Sequence, residues 1–215
     1  MFFTLHDSPS IGNQFLVELR DQTIQRDTRR FRENLKRIGQ ILAYEISKTL
    51  TFEDRVVESV LGEAQTRLPK DEIVLATVLR AGIPFYQGFQ DMFDRAESAF
   101  VGAMRQARTD DAVEIDLHYL ATTDLRNKIL ILVDPMLATG KSIVKSYHEL
   151  TRVGGVPKSI HLAAVIAARA GVEYVQNELP DAHIWLGALD ETLNSKSYIV
   201  PGLGDAGDLA FGAKR

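Results

Sequence analysis

An aspartate and a polar, glycine-containing loop stand close together in the middle of the chain, within residues 128–144 (KILILVDPMLATGKSIV). Asp134 follows an apolar run, and Gly140, Lys141 and Ser142 come soon after it. The backbone amides of such a loop, with a helix N-terminus behind them, form a good site for an anion, especially phosphate. A carboxylate beside that site indicates a ligand with both hydroxyl groups and a phosphate, such as a phosphorylated sugar.

A strand and a helix must position these groups. Residues 129–133 are apolar throughout and rich in β-branched side chains, which is typical of a strand covered on both faces. Pro135 has no N–H to donate to a sheet, so we expect the strand to end before it. From Ile143 onward apolar residues recur at helical spacing, and Gly154 and Gly155 end the predicted helix.

The loop ends in Gly-Lys-Ser, as the nucleotide-binding P-loop does, but its other positions do not fit that motif. A P-loop requires a glycine five positions before Gly140, and this chain has Pro135 there. On this segment alone, the alternative interpretation is an ordinary strand, turn and helix that bind no ligand.

Two further predicted strands each end in an arginine. Residues 72–79 (EIVLATVL) run into Arg80, and residues 98–104 run into Arg105. Open α/β sheets bind their ligands at the carboxyl ends of the strands. A salt bridge or an exposed position would explain either arginine alone equally well, but two arginines at strand ends favour a site for a polyanion.

The end of the chain, residues 198–215, is rich in glycine (YIVPGLGDAGDLAFGAKR). Gly202, Gly204 and Gly207 match G-x-G-x-x-G, but a dinucleotide site needs a long helix and then an acid about 20 residues further on, and neither follows. Glycines do allow the backbone to lie close against a flat ligand. We therefore expect main-chain N–H and C=O groups here to hydrogen-bond a flat ring, with Asp205 beside it.

The composition excludes several kinds of site. The 215-residue chain has no cysteine, so it contains no disulfide, thiolate nucleophile or cysteine metal site. Its formal net charge of −4 disfavours a broad nucleic-acid surface. No apolar run has membrane-spanning length, and the first residues lack a signal pattern. We expect one domain of a cytoplasmic protein that contacts neither membrane nor nucleic acid.

Buried-strand patterns alternate with helical patterns, which predicts an α/β fold with a largely parallel central sheet flanked by helices. Residues 1–50 are predicted to be mainly helical after a short apolar start. Residues 51–70 are predicted to form an extended arm or hairpin. Residues 106–127 alternate apolar and polar side chains in part, and we predict that they leave the main sheet as a flap over the site.

A long helix is predicted from Asp27 onward, because apolar residues from Phe31 to Ile46 recur at spacings of three and four. Its first half also has five basic residues, namely Arg29, Arg30, Arg32, Lys36 and Arg37. The favoured interpretation is a solvated basic face. The alternative is a surface that faces a phosphate or a second subunit.

Three motifs resemble those of the uracil phosphoribosyltransferase family and occur in the order expected for it. They are VLRAG at 78–82, VDPMLATGKS at 133–142 and YIVPGLGDAGD at 198–208. The second resembles the family's loop for phosphoribosyl pyrophosphate (PRPP). Two shorter matches, RFRE at 30–33 and AYE at 43–45, extend the resemblance over nearly the whole chain.

The resemblance implies a type I phosphoribosyltransferase fold as one domain over residues 1–215, with a flap near 106–127 and a uracil-binding hood over 190–215. It implies a reaction of uracil with PRPP that gives UMP and pyrophosphate in pyrimidine salvage, with Mg²⁺ as cofactor. It also implies a homodimer or larger homo-oligomer, with GTP as a candidate effector.

The matching motifs also imply a set of site residues. PRPP would be bound by Arg80, Arg105, Asp134, Pro135, Met136, Leu137, Ala138, Thr139, Gly140, Lys141, Ser142 and Asp205. Within this set the two arginines would bind the pyrophosphate, Asp134 the ribose hydroxyls, and residues 139–142 the 5′-phosphate. Uracil would be bound, largely through main-chain groups, by Ile199, Gly204, Asp205 and Ala206.

The candidate catalytic residues are Asp134, Asp205 and Arg105. The resemblance implies that Mg²⁺ is held mainly by PRPP, with Asp205 as the candidate protein contact; the same carboxylate is the candidate general base. Lys141 departs from the family's usual Gly-Gly-Ser ending. If its φ were positive, lysine would cost about 1 kcal/mol or more of strain; otherwise its ammonium group is free to contact the phosphate.

Other functions stay open at this point. One is a phosphoribosyltransferase for another base, a purine or orotate. Another is a non-catalytic regulator that senses PRPP or UMP and binds RNA, which the acidic balance disfavours. A third is a structural α/β subunit in which the glycine loops bind nothing.

Overall fold

The computed structural model describes residues 1–107 and 113–213, with the backbone alone at 103–107 and 113–118. The strands are β1 (Phe2–Thr4), β2 (Phe52–Ser59), β3 (Gly62–Pro69), β4 (Ile73–Leu79), β5 (Glu97–Ala107), β6 (Val113–Ala121), β7 (Ile129–Val133), β8 (Met136–Leu137), β9 (Ser159–Ala168), β10 (His183–Asp190), β11 (Thr192–Leu193) and β12 (Ile199–Val200). The α-helices are α1 (Ile11–Arg20), α2 (Thr28–Ser47), α3 (Ile83–Met92), α4 (Lys141–Gly154), α5 (Arg169–Glu178) and α6 (Ala206–Phe211).

The central sheet has the strand order β1-β10-β9-β7-β4-β5-β6, and β8 pairs with β9 outside this path. Every pair in it is parallel except β5 with β6, which is antiparallel. The predicted α/β fold with a largely parallel central sheet is therefore confirmed. Because the strands are mostly parallel, their carboxyl ends meet at one edge.

Helices cover both faces of this sheet. Alternate residues of β7 point to opposite faces, so Ile131 packs in the layer with α1, α2, α3 and α6, and Leu130 packs in the layer with α4 and α5. All five residues of β7 are buried. This burial on both faces is the reason that the strand has no polar position, as its sequence pattern predicted.

Two short strands of the central sheet were not predicted from the sequence. β1 pairs in parallel with β10, and it has only three residues, too few for a periodic pattern. β8 resumes pairing after Pro135, because the proline carbonyl accepts hydrogen bonds from the amides of Val165 and Ile166 (3.1 and 3.0 Å). The predicted end of the central strand before Pro135 is correct, but the chain returns to the sheet at once.

The predicted arm is a β-hairpin. β2 and β3 pair antiparallel in a two-stranded sheet of their own, and β3 is exposed along its whole length. Val60 and Leu61 at its tip are 98% and 99% exposed. The predicted flap at 106–127 includes the end of β5 and all of β6; contrary to the prediction that it leaves the main sheet, β6 is the edge strand of that sheet, while residues 108–112 lie outside the described residues.

The basic residues at the start of α2 differ from the sequence prediction. Arg30 makes two hydrogen bonds to the carboxylate of Glu18 on α1 (2.7 and 2.9 Å), and Arg32 donates to the carbonyl of Ala210 on α6 (2.8 Å). Lys36 pairs with Asp91 on α3 at 2.8 Å. Arg30 is exposed, as a solvated face requires, but the solvated-face interpretation is incomplete, since all three residues also join α2 to neighbouring helices.

In the described part of the chain, no helix combines the length and the apolar character needed to cross a membrane.

Candidate active site

A cavity of about 300 Å³ lies between the carboxyl edge of the sheet and the tail, which we define as residues 191–213, after the end of β10. Arg80 follows β4 and Asp134 follows β7, and these two strands are parallel neighbours. Their ends therefore deliver a guanidinium group and a carboxylate to one site. The tail closes the cavity from the other side with Ile199, Gly204 and residues 205–207.

Asp134 is held by the turn that follows β7. Its amide donates to the carbonyl of Ala163 on β9 (3.1 Å), and its Oδ1 accepts a hydrogen bond from the amide of Met136 (3.3 Å). The side chain is half-buried and lines the cavity. Backbone hydrogen bonds on both sides of Asp134 thus fix the direction of its carboxylate.

The polar loop ends at the N-terminus of α4. Gly140 precedes the helix with φ +77°, and its carbonyl accepts from the amide of Val144 (3.1 Å). A Cβ on Gly140 would lie 2.7 Å from the carbonyl oxygen of Gly171 on α5, so both its conformation and its surroundings require glycine. Ser142 in the first turn of α4 lines the cavity. The positive end of the helix dipole therefore faces the site.

Lys141 is the first residue of α4, and its side chain is exposed. The non-glycine residues with positive φ in the described chain are Asn127 and Ser197. The lysine that replaces the family's usual glycine is therefore free of left-handed strain, and its cation lies next to the helix N-terminus.

Arg80 stands in the turn between β4 and α3. The peptide bond between Leu79 and Arg80 is cis, and the amide of Gly82 closes the turn by donating to the carbonyl of Val78 (3.1 Å). The Arg80 side chain is exposed and lines the cavity. Its planar guanidinium group can donate two parallel hydrogen bonds to a phosphate or pyrophosphate group.

The tail presents backbone to the cavity. Gly204 is exposed with φ +92°, whereas Ile199 and Ala206 are buried. Asp205 begins α6: its Oδ1 accepts a hydrogen bond from the amide of Asp208 (3.0 Å). The main chain at Gly204 is therefore exposed, and the carboxylate of Asp205, which caps the N-terminus of α6, lies beside it.

The structure brings most of the predicted site residues together. Nine of them line the cavity: Arg80, Asp134, Met136, Ala138, Ser142, Ile199, Gly204, Asp205 and Ala206. Five others do not line it: Pro135, Leu137, Thr139, Gly140 and Lys141. The predicted position of Arg105 at a strand end is wrong, because β5 continues to Ala107 and Arg105 pairs with Ile115 of β6 inside the strand; its side chain lies outside the described residues.

Several lining residues were not predicted as site residues. They are Val78, Leu79, Ala81, Ser197, Tyr198 and Gly207. Five of them lie inside a motif that was recognised, and Ser197 directly precedes one, so membership of a motif was the available signal. Their residue types are ordinary at strand ends and turns, and nothing in the types alone distinguishes them.

A family model described as uracil phosphoribosyltransferase matches residues 8–213. The chain belongs to the uracil phosphoribosyltransferase family. A family member from Porphyromonas gingivalis is 49% identical over 206 residues, which cover 95% of each chain. One from Pyrococcus furiosus is 37% identical over 213 residues, covering 98% of this chain and 89% of the relative.

The fold agrees with this assignment. A solved structure of a protein from Aquifex aeolicus superposes with a TM-score of 0.87 at 30% identity, and the match covers 99% of this chain and 98% of the other. The similarity thus spans the sheet, both helical layers and the tail. The resemblance that the three motifs indicated is confirmed over almost the full length.

Proposed function

We propose that the chain transfers the phosphoribosyl group of PRPP to N1 of uracil and releases UMP and pyrophosphate. One observation supports this most: the strand-end residues Arg80 and Asp134 and the tail residues Ile199 and Gly204 line one cavity. Its volume of about 300 Å³ is at the lower end of the range for small-molecule sites, which suits a single nucleotide.

The charged groups of the cavity suit PRPP. Arg80, together with Arg105, binds the pyrophosphate, because a planar guanidinium group pairs with two phosphate oxygens at once. Asp134 accepts hydrogen bonds from the ribose hydroxyls. Residues 139–142 bind the 5′-phosphate at the N-terminus of α4, where free amides and the helix dipole both favour an anion.

The tail suits a flat base. Uracil presents a donor and two acceptors at its edge, and exposed main-chain groups near Gly204 are available to pair with them. Ile199 and Ala206 offer apolar surface against the ring. Base recognition by backbone explains why the tail needs glycine at a position with φ +92°.

The reaction forms the bond from uracil N1 to C1 of the ribose and breaks the bond from C1 to pyrophosphate oxygen, which keeps the electron pair. The ribosyl carbon becomes positively charged as pyrophosphate leaves. Asp134 and Arg105 therefore act through charge placement and alignment, which are large contributions in such sites. The N1 proton leaves uracil; Asp205 is the candidate acceptor, although one of its oxygens also caps α6.

The residues of the cavity fit a Mg²⁺ ion that is bound mainly through substrate. The described residues contain no group of three or more histidine, aspartate or glutamate side chains that could hold a metal by themselves. Asp134 and Asp205 are the two carboxylates that line the cavity, and Mg²⁺ usually binds one or two carboxylates together with substrate phosphates. Bound there, it would neutralise charge on the pyrophosphate.

The hairpin β2–β3 supports a homodimer. Val60 and Leu61 at its tip are almost fully exposed, and Val56, Val57 and Leu68 along it are also exposed. Burying these apolar side chains against a second copy would remove them from water. Leu61→Asp should then shift the mass measured by light scattering towards the monomer, whereas Glu63→Gln, which keeps the size of an exposed polar side chain at the start of β3, should not. GTP activation stays a prediction of the resemblance.

The decisive experiment measures conversion of radiolabelled uracil to UMP with PRPP, with and without Mg²⁺ and with and without GTP. We expect Mg²⁺-dependent UMP formation that unlabelled orotate and hypoxanthine do not inhibit. Equal turnover of orotate or a purine would show a different base specificity. Absence of UMP formation, together with RNA binding that persists in Asp205→Asn, would support the regulatory function instead.

A further inference from the structure

The tail is attached to the rest of the protein by side chains from distant parts of the sequence. Residues 201–205 lie between β12 and α6, outside helix and strand. They contain the exposed glycine and the carboxylate of the candidate base site. What fixes this segment therefore fixes one half of the cavity.

Asp190 at the end of β10 holds the first part of the segment. Its Oδ2 accepts a hydrogen bond from the buried amide of Gly202 (2.8 Å). The same carboxylate accepts two hydrogen bonds from Arg20 at the end of α1, at 2.7 and 2.8 Å. Asp190 is 7% exposed, and Arg20 is its ion-pair partner at 2.7 Å.

Arg20 also holds the other side of the same glycine. Its Nη1 donates to the carbonyl of Gly202 at 2.9 Å. The N–H and C=O of Gly202 are thus both bound by the Arg20–Asp190 pair, and 170 residues separate the two partners in sequence. Gly202 has φ +58°, and a Cβ there would lie 2.2 Å from the carbonyl oxygen of Ile199. The pair therefore secures the tight turn that leads to Gly204.

Two more side chains bind the tail on either side of Gly204. With its amide nitrogen facing the two carbonyls, Gln25 donates to Leu203 at 2.9 Å and to Leu19 at 3.1 Å. Arg32 of α2 donates to the carbonyl of Ala210 at 2.8 Å. The N-terminal helical layer thus holds the backbone both before and after the candidate base-binding residues.

We propose that Arg20 and Asp190 are positioning residues for the base: together they set where the backbone of residues 204–206 stands relative to Arg80 and Asp134. This inference rests on the proposed uracil site in the tail. It assigns a role in base affinity to two residues that lie outside the cavity. PRPP, bound at the strand ends and α4, should be little affected by the pair.

The test compares Arg20→Met with Arg30→Met in the full chain. Both changes remove an arginine that makes two hydrogen bonds to a largely buried carboxylate, either Asp190 at the end of β10 or Glu18 on α1, but only the first pair binds the tail. We expect Arg20→Met to raise the KM for uracil about tenfold, which equals about 1.4 kcal/mol, and to leave the KM for PRPP within about twofold of the parent. The fall in kcat should be smaller than the rise in the KM for uracil, although Asp205 lies in the same segment. Arg30→Met should leave both KM values unchanged.

Two further measurements separate positioning from general destabilisation. Amide hydrogen exchange of residues 199–212, without substrate, should rise in Arg20→Met and stay at the parental rate in Arg30→Met. Arg20→Lys, which keeps a cation and one or two donors, should recover part of the uracil affinity. Asp190→Asn, which can still accept from Gly202, should be milder than Asp190→Ala.

The outcomes distinguish the inference from the function on which it rests. Suppose that the parent makes UMP and that Arg20→Met lowers the melting temperature but leaves the KM for uracil unchanged. This result would overturn the inference and leave the proposed function intact. Tail exchange that rises equally in both variants would overturn it as well. A parent that makes no UMP would refute the proposed function and the base-affinity role with it.

Discussion

The two sides of the cavity are built in different ways. The strand-end side, with Asp134 and α4, is fixed by the parallel sheet: its backbone is hydrogen-bonded to β9 on both sides of the aspartate. The tail has two two-residue strands and one six-residue helix, and side chains from α1, α2 and β10 hold it. Changes in the first region should alter the handling of PRPP, and changes in the second should alter the handling of uracil.

The largest effect should come from Asp134→Asn, in the region fixed by the sheet. Removing the charge that faces the ribose should lower kcat up to about a thousandfold, because groups placed against developing charge contribute that much in other sites. Steady-state kinetics checks this, with Asp94→Asn as the control, an exposed aspartate after α3 that should keep parental activity. A parental kcat in Asp134→Asn would remove the aspartate from the mechanism.

Acid should lower the free energy of unfolding by protonating His161, a residue of β9. Burial first, and then the charges of His183 and the N-terminus, together lower the pKa of this histidine from 6.5 to about 4. Between those pH values the unfolded chain binds more protons than the folded one. The free energy of unfolding should therefore fall as the pH drops from about 6.5 to 4, by about 3 kcal/mol from this group.

Denaturant unfolding across this pH range measures the effect. His161→Asn keeps an acceptor for the indole N–H of Trp185, which donates to Nδ1 of His161 at 3.1 Å, and does not titrate. Its stability should depend less on pH than that of the parent. His148→Asn, which changes an exposed histidine, should respond to acid as the parent does. Identical pH dependence in parent and His161→Asn would contradict the assignment.

Two glycine variants should separate the regions most clearly. Gly140→Ala and Gly202→Ala each place a Cβ against a carbonyl oxygen, at 2.7 and 2.2 Å, in a residue with positive φ. Such strain costs about 1–3 kcal/mol. We expect the first variant to raise the KM for PRPP about tenfold and the second to raise that for uracil by a similar factor.

Gly212→Ala is the control for this pair. Gly212 also has positive φ, +83°, but nothing lies within 4 Å of its Cβ and it stands after α6. It should leave both KM values near the parental ones. If Gly140→Ala and Gly202→Ala changed the same substrate's KM, the division of the cavity into a PRPP side and a base side would be wrong.

The smallest effect should come from Lys141→Gln. The side chain is exposed, so its attraction for the 5′-phosphate is screened by water and salt. We expect the KM for PRPP to rise about threefold at low salt, and by less at high salt, while the KM for uracil is unchanged. Lys70→Gln, at an exposed lysine after β3, should show no such salt-dependent difference.

The same contrast explains what the sequence could predict. The elements of the strand-end side could be predicted, because β7 is a continuous apolar run that Asp134 and Pro135 follow directly, although Pro135, Gly140 and three other predicted residues do not line the cavity. Arg80 was found in the same way, as the residue after β4. In these places one local segment contains both the element and the group that it positions, so its residue types are informative.

The attachment of the tail could not be predicted. Nothing near Arg20 or Asp190 indicates that they meet, since the contact depends on where α1 and β10 lie in the finished fold. For the same reason the contacts of the basic residues of α2 were not predicted: Arg30 and Arg32 bind groups that lie 12 and 178 residues away in sequence. Hydrogen bonds between a side chain and a remote backbone leave no local pattern.

The central claim is that one nucleotide spans both sides of the cavity, and a crystal structure of the chain with UMP bound tests it most directly. The account predicts the phosphate on the amides of residues 139–142, the ribose hydroxyls on Asp134, and the base edge on the main chain near Gly204. A UMP whose base lies away from the tail while its phosphate occupies the loop would contradict it.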